Sequence, residues 1–128
     1  MIVVDSSALV LAVVDTTGRG AQVRARLDDG ASAPHLVDAE VGQAIRGLVR
    51  RDALGPDAAE RSLGSAARLV TDRFAHPPFQ ARAWELRDNV SFYDALYVAL
   101  AELLRVPLVT ADVWLTQAPG PRCSFETV

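Results

Sequence analysis

The sequence predicts an α/β domain built on a mainly parallel sheet, and three stretches carry that prediction. Ile2-Val3-Val4 and Leu108-Val109-Thr110 are short apolar runs with β-branched residues, the pattern of strands covered on both faces, and an aspartate closely follows each: Asp5 and Asp112. Between them, Ser91–Leu104 reads as one helix. Ser91 is a good N-cap, Asp94 stands three residues on in the capping-box position, and nearly every later position is apolar. A helix apolar all round lies buried between other elements, and this one is too short to span a membrane, which takes about 20 apolar residues. It is therefore a central helix with one carboxylate in its first turn.

The remaining elements follow in order. Asp5-Ser6-Ser7 ends the first strand, and Ala8–Val14 continues as an apolar helix. Asp15–Gly20 is a Thr- and Gly-containing turn. Ala21–Leu27 is a short helix with Arg24 and Arg26 outward, stopped by Gly30. Ser32-Ala33-Pro34 is a short strand leading to a helix over Val37–Arg51, whose stripe is Val37, Val41, Ala44, Ile45 and Leu48. Asp38 complements the start of that helix, and Glu40 lies beside its apolar stripe rather than opposite it. Gly55-Pro56-Asp57 has helix-start chemistry for an amphipathic helix over Ala58–Val70, with Leu63, Ala67 and Val70 on its apolar side. Arg73-Phe74-Ala75 is a short strand, Phe79–Arg87 a helix with Trp84 inward, Val113–Gln117 a helical turn and Cys123–Val128 a last edge strand. No repeat, low-complexity segment or linker interrupts residues 1–128, which read as a single domain.

Half of the 128 residues are hydrophobic and 23% are charged, an ordinary globular composition with enough chain for one sizeable core. Met1 leads straight into Ile-Val-Val-Asp with no basic n-region or long apolar stretch, so a cytoplasmic location is expected. The lone Cys123 has no internal disulfide partner, in keeping with a reducing compartment. A net charge of −3 does not advertise nucleic-acid binding. All 13 basic residues are nevertheless arginines, whose planar forks match phosphate geometry.

Four carboxylates stand out: Asp5, Glu40, Asp94 and Asp112. Asp5 and Asp112 follow strand ends and Asp94 opens the central helix. In open α/β sheets ligands bind beyond the carboxyl ends of the strands, which places Asp5 and Asp112 on one rim. Each aspartate taken alone is an ordinary helix cap; Glu40 has no such simple explanation. Gathered together, the four would raise each other's pKa, and neither lysine nor a sequence-adjacent arginine neutralises them. A divalent metal is the natural counter-charge, and all-oxygen ligation suits Mg²⁺ or Mn²⁺. Such a metal polarises a phosphate and activates water for in-line attack. Ser7 and Thr110 are supporting hydroxyls that either orient a ligand or satisfy turn backbone. Arg46 and Arg50, four apart on the helix of Glu40, are candidate RNA contacts or simply a solvated face. Trp84, Trp114, Tyr93 and Tyr97 sit among apolar helical neighbours and read as core or interface residues. His35 and His76 lie beside prolines in separate loops and read as surface residues.

These residues resemble a known family. The chain is similar to PIN-domain proteins of the small kind found as the toxin of VapBC toxin–antitoxin pairs. The likeness rests on Ile2-Val3-Val4-Asp5-Ser6-Ser7-Ala8-Leu9, on Glu40 after a short strand, on Tyr93-Asp94-Ala95-Leu96-Tyr97-Val98-Ala99-Leu100-Ala101-Glu102, and on Leu108-Val109-Thr110-Ala111-Asp112. It covers nearly the whole chain. It implies a PIN-like three-layer α/β/α sandwich with a five-stranded, mainly parallel sheet. It also implies a Mg²⁺- or Mn²⁺-dependent endoribonuclease, a homodimer, and a small VapB-like antitoxin that covers the active-site groove. Asp5, Glu40, Asp94 and Asp112 match the family's acidic metal positions, and Ser7 a hydroxyl position near the metal. The chain departs from the pattern after Asp112: Thr116 and Gln117 stand where a further acidic residue would support a second metal.

Rival chemistries meet plain obstacles. A phospho-acceptor receiver needs a lysine beside its acidic pocket, and this chain has none. A haloacid-dehalogenase-type phosphatase needs Asp-x-Asp after the first strand, where position 7 is Ser, and no G-x-x-x-x-G-K loop is present. Two readings stay open beside the ribonuclease: a PIN-like protein that binds RNA or a partner without cutting, and a DNA nuclease of the same metal chemistry.

Overall fold

The computed structural model describes residues 1–128. Its elements are β1 (Ile2–Val4), α1 (Ser6–Val14), α2 (Gly18–Leu27), β2 (Ala31–Pro34), α3 (Leu36–Arg50), α4 (Pro56–Leu69), β3 (Asp72–Phe74), α5 (Pro77–Glu85), α6 (Phe92–Leu104), β4 (Leu108–Thr110), α7 (Val113–Gln117) and β5 (Phe125–Thr127). The five strands form one sheet in the order β3-β2-β1-β4-β5, and every pairing is parallel. This is the three-layer α/β/α architecture the sequence predicts.

The strand order explains the layers. From β1 the chain steps to β2 and then β3 on one side; from β3 it crosses back to β4 and β5 on the other. Right-handed crossovers that travel in opposite directions put their helices on opposite faces of the sheet. Accordingly α1, α2, α3 and α4 pack among themselves on one face, while α6 lies across β1, β2 and β4 on the other with α5 against it. All of β1, β2 and β4 is buried, and so is the unbroken run Ala95–Ala101 of α6. The all-apolar helix is thus sandwiched as expected. Its two ends emerge: Tyr93 and Leu103 are exposed.

Several local expectations are corrected. The buried face of α4 is Ala59, Ser62, Ala66 and, just beyond it, Val70, whereas Leu63 and Ala67 face solvent. A hydrogen bond from the Ser62 hydroxyl to the Val13 carbonyl (3.1 Å) lets that helix turn a serine inward. Ala44 on α3 is exposed. β3 begins one residue earlier than the apolar pattern suggests, at Asp72, because Ser32 pairs with it in register. Arg24 does not point away: its guanidinium folds back onto the Ala12 carbonyl at 2.7 Å and covers the end of α1. Gly20 is needed where α2 crosses α1, since a Cβ there would stand 2.3 Å from the Asp15 carbonyl oxygen. No helix is long and apolar enough to cross a membrane.

Candidate active site

β1 and β4 are neighbours, but the chain leaves β1 toward β2 and leaves β4 toward β5. A crevice therefore opens beyond their carboxyl ends, the place where parallel sheets bind ligands. Asp5 and Asp112 stand at this point. α3 starts at the same rim because it follows β2 directly. α6 starts there too, since a helix that feeds straight into β4 must run antiparallel to the strands. Topology alone brings Asp5, Glu40, Asp94 and Asp112 to one end of the sheet.

Asp5 is the most constrained of the four. It caps α1, its Oδ1 accepting the Ala8 amide at 2.9 Å and the Ser7 hydroxyl at 2.6 Å. The Thr110 hydroxyl donates to Oδ2. Each hydroxyl has its other side occupied: the Ala111 amide donates to Ser7 Oγ at 2.9 Å and the Asp112 amide to Thr110 Oγ1 at 3.0 Å. A carboxylate only accepts, so both hydroxyl protons are committed to Asp5. Ser7 and Thr110 thereby lace the end of β1 to the turn after β4. They do structural and site-positioning work at once, and Thr110, fully buried, is as integral as Ser7.

Asp112 caps α7, accepting the amides of Trp114 (2.9 Å) and Leu115 (3.3 Å). Asp94 lies in the first turn of α6, where the Ser91 hydroxyl caps its amide at 3.1 Å. Glu40, one turn into α3, is half-buried and receives a 2.6 Å hydrogen bond from the Tyr97 hydroxyl. Sequence reasoning misses this contact and treats Tyr97 only as a core or interface residue. The available signal is spacing: Tyr97 lies three residues after Asp94, on the same helical face. Burial, then the Glu40 hydrogen bond and charge, push the Tyr97 phenol well above its usual 10, so it stays protonated and donates.

The site is electrostatically uncompensated. Burial lifts the Asp5 pKa above its ordinary value; the bonds from Ser7, Thr110 and Ala8 pull it down without winning, and the charge of Glu40 adds to the rise. Asp94 is raised too, first by burial, against the pull of Ser91, and further by the charges of Asp5 and Asp112. These couplings tie the four carboxylates together. The chain's ion pairs all lie elsewhere: Arg26–Glu126, Arg73–Asp38, Arg82–Glu85 and Arg82–Glu102.

As the side chains lie, no three His, Cys, Asp or Glu groups are gathered tightly enough to grip a metal directly. The donor chemistry still fits a hard cation: carboxylate and hydroxyl oxygens, mutually repelling charges and no competing base. Mg²⁺ in particular keeps several of its waters and needs direct contact with only one or two carboxylates. Beside the rim, Ser6, Ala39, Glu40, Gln43, Ala44 and Tyr93 line an open groove of about 430 Å³.

The other candidate residues fall outside this cluster. Arg46 and Arg50 are exposed and line a different, more apolar groove between α3 and α4, with Ile45, Val49 and Leu63. At 1.5 Å rise per residue they lie roughly 9 and 15 Å along the helix from Glu40. His35 and His76 come together at the neighbouring strand ends, ring centres 6.5 Å apart, and His76 Nε2 accepts the Leu36 amide at 3.3 Å. His35 is exposed, but His76 is half-buried and serves as a long-range cap for α3. Of the aromatic residues expected in core or interface, Tyr97 alone is in the core, and Trp84 is not turned inward: Trp84, Tyr93 and Trp114 are 59, 60 and 82% exposed.

The profile of the PIN domain matches residues 2–120. Ribonuclease VapC1 of Mycobacterium tuberculosis is 43% identical over 128 residues, an alignment covering 98% of this chain and 96% of that protein. Among solved structures, a Pyrobaculum aerophilum protein superposes with a TM-score of 0.75 at 24% identity, covering 97% of this chain and 81% of that one. VapBC2 from Rickettsia felis, solved with a DNA fragment from its promoter, gives a TM-score of 0.72 at 14% identity, with 100 and 99% covered. At those identities the two structures speak for the fold.

Proposed function

Because this chain belongs to the PIN-domain family and is of the VapC ribonuclease kind, we propose that it is a metal-dependent endoribonuclease toxin whose working group is the Asp5, Glu40, Asp94 and Asp112 set. The observation that carries this reading is the coupled set of carboxylates at the sheet's switch point with no arginine beside them. The oxygen donors favour Mg²⁺ or Mn²⁺ as the ion held there. When bound, it supplies a Lewis acid for the phosphate and a water of lowered pKa.

The chain's own residues prepare the place. Ser7 and Thr110 fix the Asp5 carboxylate and leave it no rotamer freedom. Tyr97 holds Glu40 by its Oε1. The Asp112 cap keeps that carboxylate at the start of α7. These supports act as second-layer partners do in metal sites generally, orienting donors before the ion arrives. RNA lies over the rim, its backbone presented to Asp94 and Asp112, with Arg46 and Arg50 as outlying phosphate contacts. The VapC kinship supports a VapB-like antitoxin as protein partner, a homodimeric state and work in the cytoplasm, where RNA is at hand.

The test is cleavage of total RNA with Mg²⁺ or Mn²⁺, wild type against Asp94→Asn, with folding of both checked by circular dichroism. Discrete fragments from wild type alone, abolished by EDTA, are expected. Cleavage that survives EDTA, or that Asp94→Asn retains in full, contradicts the metal-site reading. A matched DNA strand in the same assay separates ribonuclease from general nuclease action.

A further inference from the structure

Three aromatic rings more than half exposed lie on α5, α6 and α7, and two of them sit beside the carboxylates. Tyr93 immediately precedes Asp94 and lines the groove that Glu40 also lines. Trp114 follows Asp112 by two residues, and its own amide is hydrogen-bonded to the Asp112 carboxylate at 2.9 Å. Both are strongly exposed, Trp114 at 82%. The third ring, Trp84, is already engaged: Arg87 stacks over it at 5.1 Å and Phe92 meets it edge-on. Neither Tyr93 nor Trp114 takes part in any of the chain's aromatic or cation–π pairs. Leaving an indole that open costs apolar hydration for no gain in the isolated fold.

We propose that Tyr93 and Trp114 form a stacking subsite for unpaired RNA bases flanking the phosphodiester that faces the carboxylates. The inference rests on the ribonuclease reading above and names how substrate is held. The charge distribution favours it. The rim is acidic, no lysine exists, and Arg26, Arg73 and Arg82 are tied into ion pairs. The site's own side chains therefore offer no positive charge with which to anchor an RNA strand. Every base has a π-face, so aromatic rings anchor single strands without relying on positive charge. In a duplex the bases are stacked on one another and cannot reach the rings. The subsite thus selects loops and single-stranded segments, and it tolerates many base sequences. The caps fix the backbone that carries each ring: Asp112 caps the start of α7 at Trp114, and Ser91 caps the first turn of α6 that holds Tyr93.

The experiment uses a Trp84→Phe background, in which Trp114 is the sole tryptophan, titrated with a short unpaired oligoribonucleotide carrying cleavage-resistant phosphorothioate linkages. Ca²⁺ replaces Mg²⁺, and a self-paired duplex of the same composition is the control. Saturable quenching of Trp114 emission by the unpaired strand, weaker with the duplex, is expected. Tyr93→Ala and Trp114→Ala should each weaken binding by roughly tenfold, measured by anisotropy of a labelled strand. Trp114→Phe should restore most of the affinity, and Trp114→Leu should not. RNA binding with no quenching, or with leucine as good as phenylalanine, overturns the stacking subsite and leaves the ribonuclease reading standing. Intact RNA binding by both alanine variants, together with loss of a co-expressed antitoxin, overturns it too and assigns the rings to a protein partner. Absence of both binding and metal-dependent cleavage in the wild type removes the parent reading and this one together.

Discussion

Asp94 and Glu102 stand on the same helix, eight residues apart, and their surroundings treat them in opposite ways. Glu102, near the C-terminal end of α6, is gripped by the Arg82 fork at 2.7 and 3.1 Å and by the Arg122 amide at 2.7 Å. Burial alone would raise its pKa, but these partners outweigh burial and hold it below the ordinary 4.5. Asp94, roughly 12 Å away along the axis, has burial and two further aspartates around it, and its pKa is raised. One end of α6 uses charge to tie α5, α6 and the C-terminal loop together. The other end keeps charge in an unfavourable state that protonation or a bound cation would relieve. Strain of this electrostatic kind is what a binding site looks like before its ligand arrives.

The largest effects should fall on activity at one end and on stability at the other. Asp94→Asn and Asp5→Asn are each expected to lower RNA cleavage by about a hundredfold or more, because they remove charge from the proposed metal-holding set. Asp94→Asn should not lower the melting temperature of metal-free protein as Glu102→Gln does. That substitution takes from the Arg82 fork, 20% exposed, its less exposed charged partner and leaves only the exposed Glu85, and should cost about 1–2 kcal/mol in chemical denaturation. Its cleavage rate per folded molecule should stay unchanged.

The pH dependence sharpens the contrast. Glu102 has a lowered folded pKa, so its contribution is present above about 4.5 and is lost as pH falls through the folded value. Asp94 has a raised folded pKa, so its effect has the opposite sign. Stability is lost as pH climbs from 3.8 through the folded value, because the unfolded chain releases its proton first. In EDTA, the melting-temperature advantage of Asp94→Asn over wild type should therefore grow as pH rises above 3.8. A flat difference contradicts the uncompensated-charge account.

Tyr97→Phe removes only a hydroxyl. It should lower Mn²⁺ affinity by about tenfold, read by electron paramagnetic resonance of free ion, with little change in fold. The smallest effect belongs to Ser32, whose buried hydroxyl finds no partner in β2. Ser32→Ala should be neutral or stabilising by up to about 1 kcal/mol in urea denaturation.

Much of this arrangement was legible in the sequence. Short apolar runs closed by Asp5 and Asp112, and a capped helix apolar all round, are local patterns that fix strand, strand and central helix. Strand ends in a parallel sheet converge, so the carboxylates could be placed on one rim before any contact was seen. The illegible parts are long-range or depend on helix phase. Tyr97 and Glu40 are 57 residues apart and meet only because α6 and α3 start at the same rim. The His76 cap on Leu36 spans 40 residues for the same reason. Trp84, Tyr93 and Trp114 read as core or interface residues because their neighbours are apolar. At a helix end, however, two positions separate solvent from core, as they separate Tyr93 from the buried Ala95. Thr110 looks like a strand-end residue until β1 and β4 are paired and its hydroxyl meets Asp5.

The most direct measurement is a thermal melt of wild type and Asp94→Asn across a Mn²⁺ titration from an EDTA-treated start. An ion that binds only the folded state raises wild-type stability by mass action, by several degrees at saturating concentration, while the variant, lacking one of the repelling charges and one of the donors, responds weakly. Equal shifts in the two proteins, or none in either at millimolar metal, would contradict the claim that this rim holds a divalent ion.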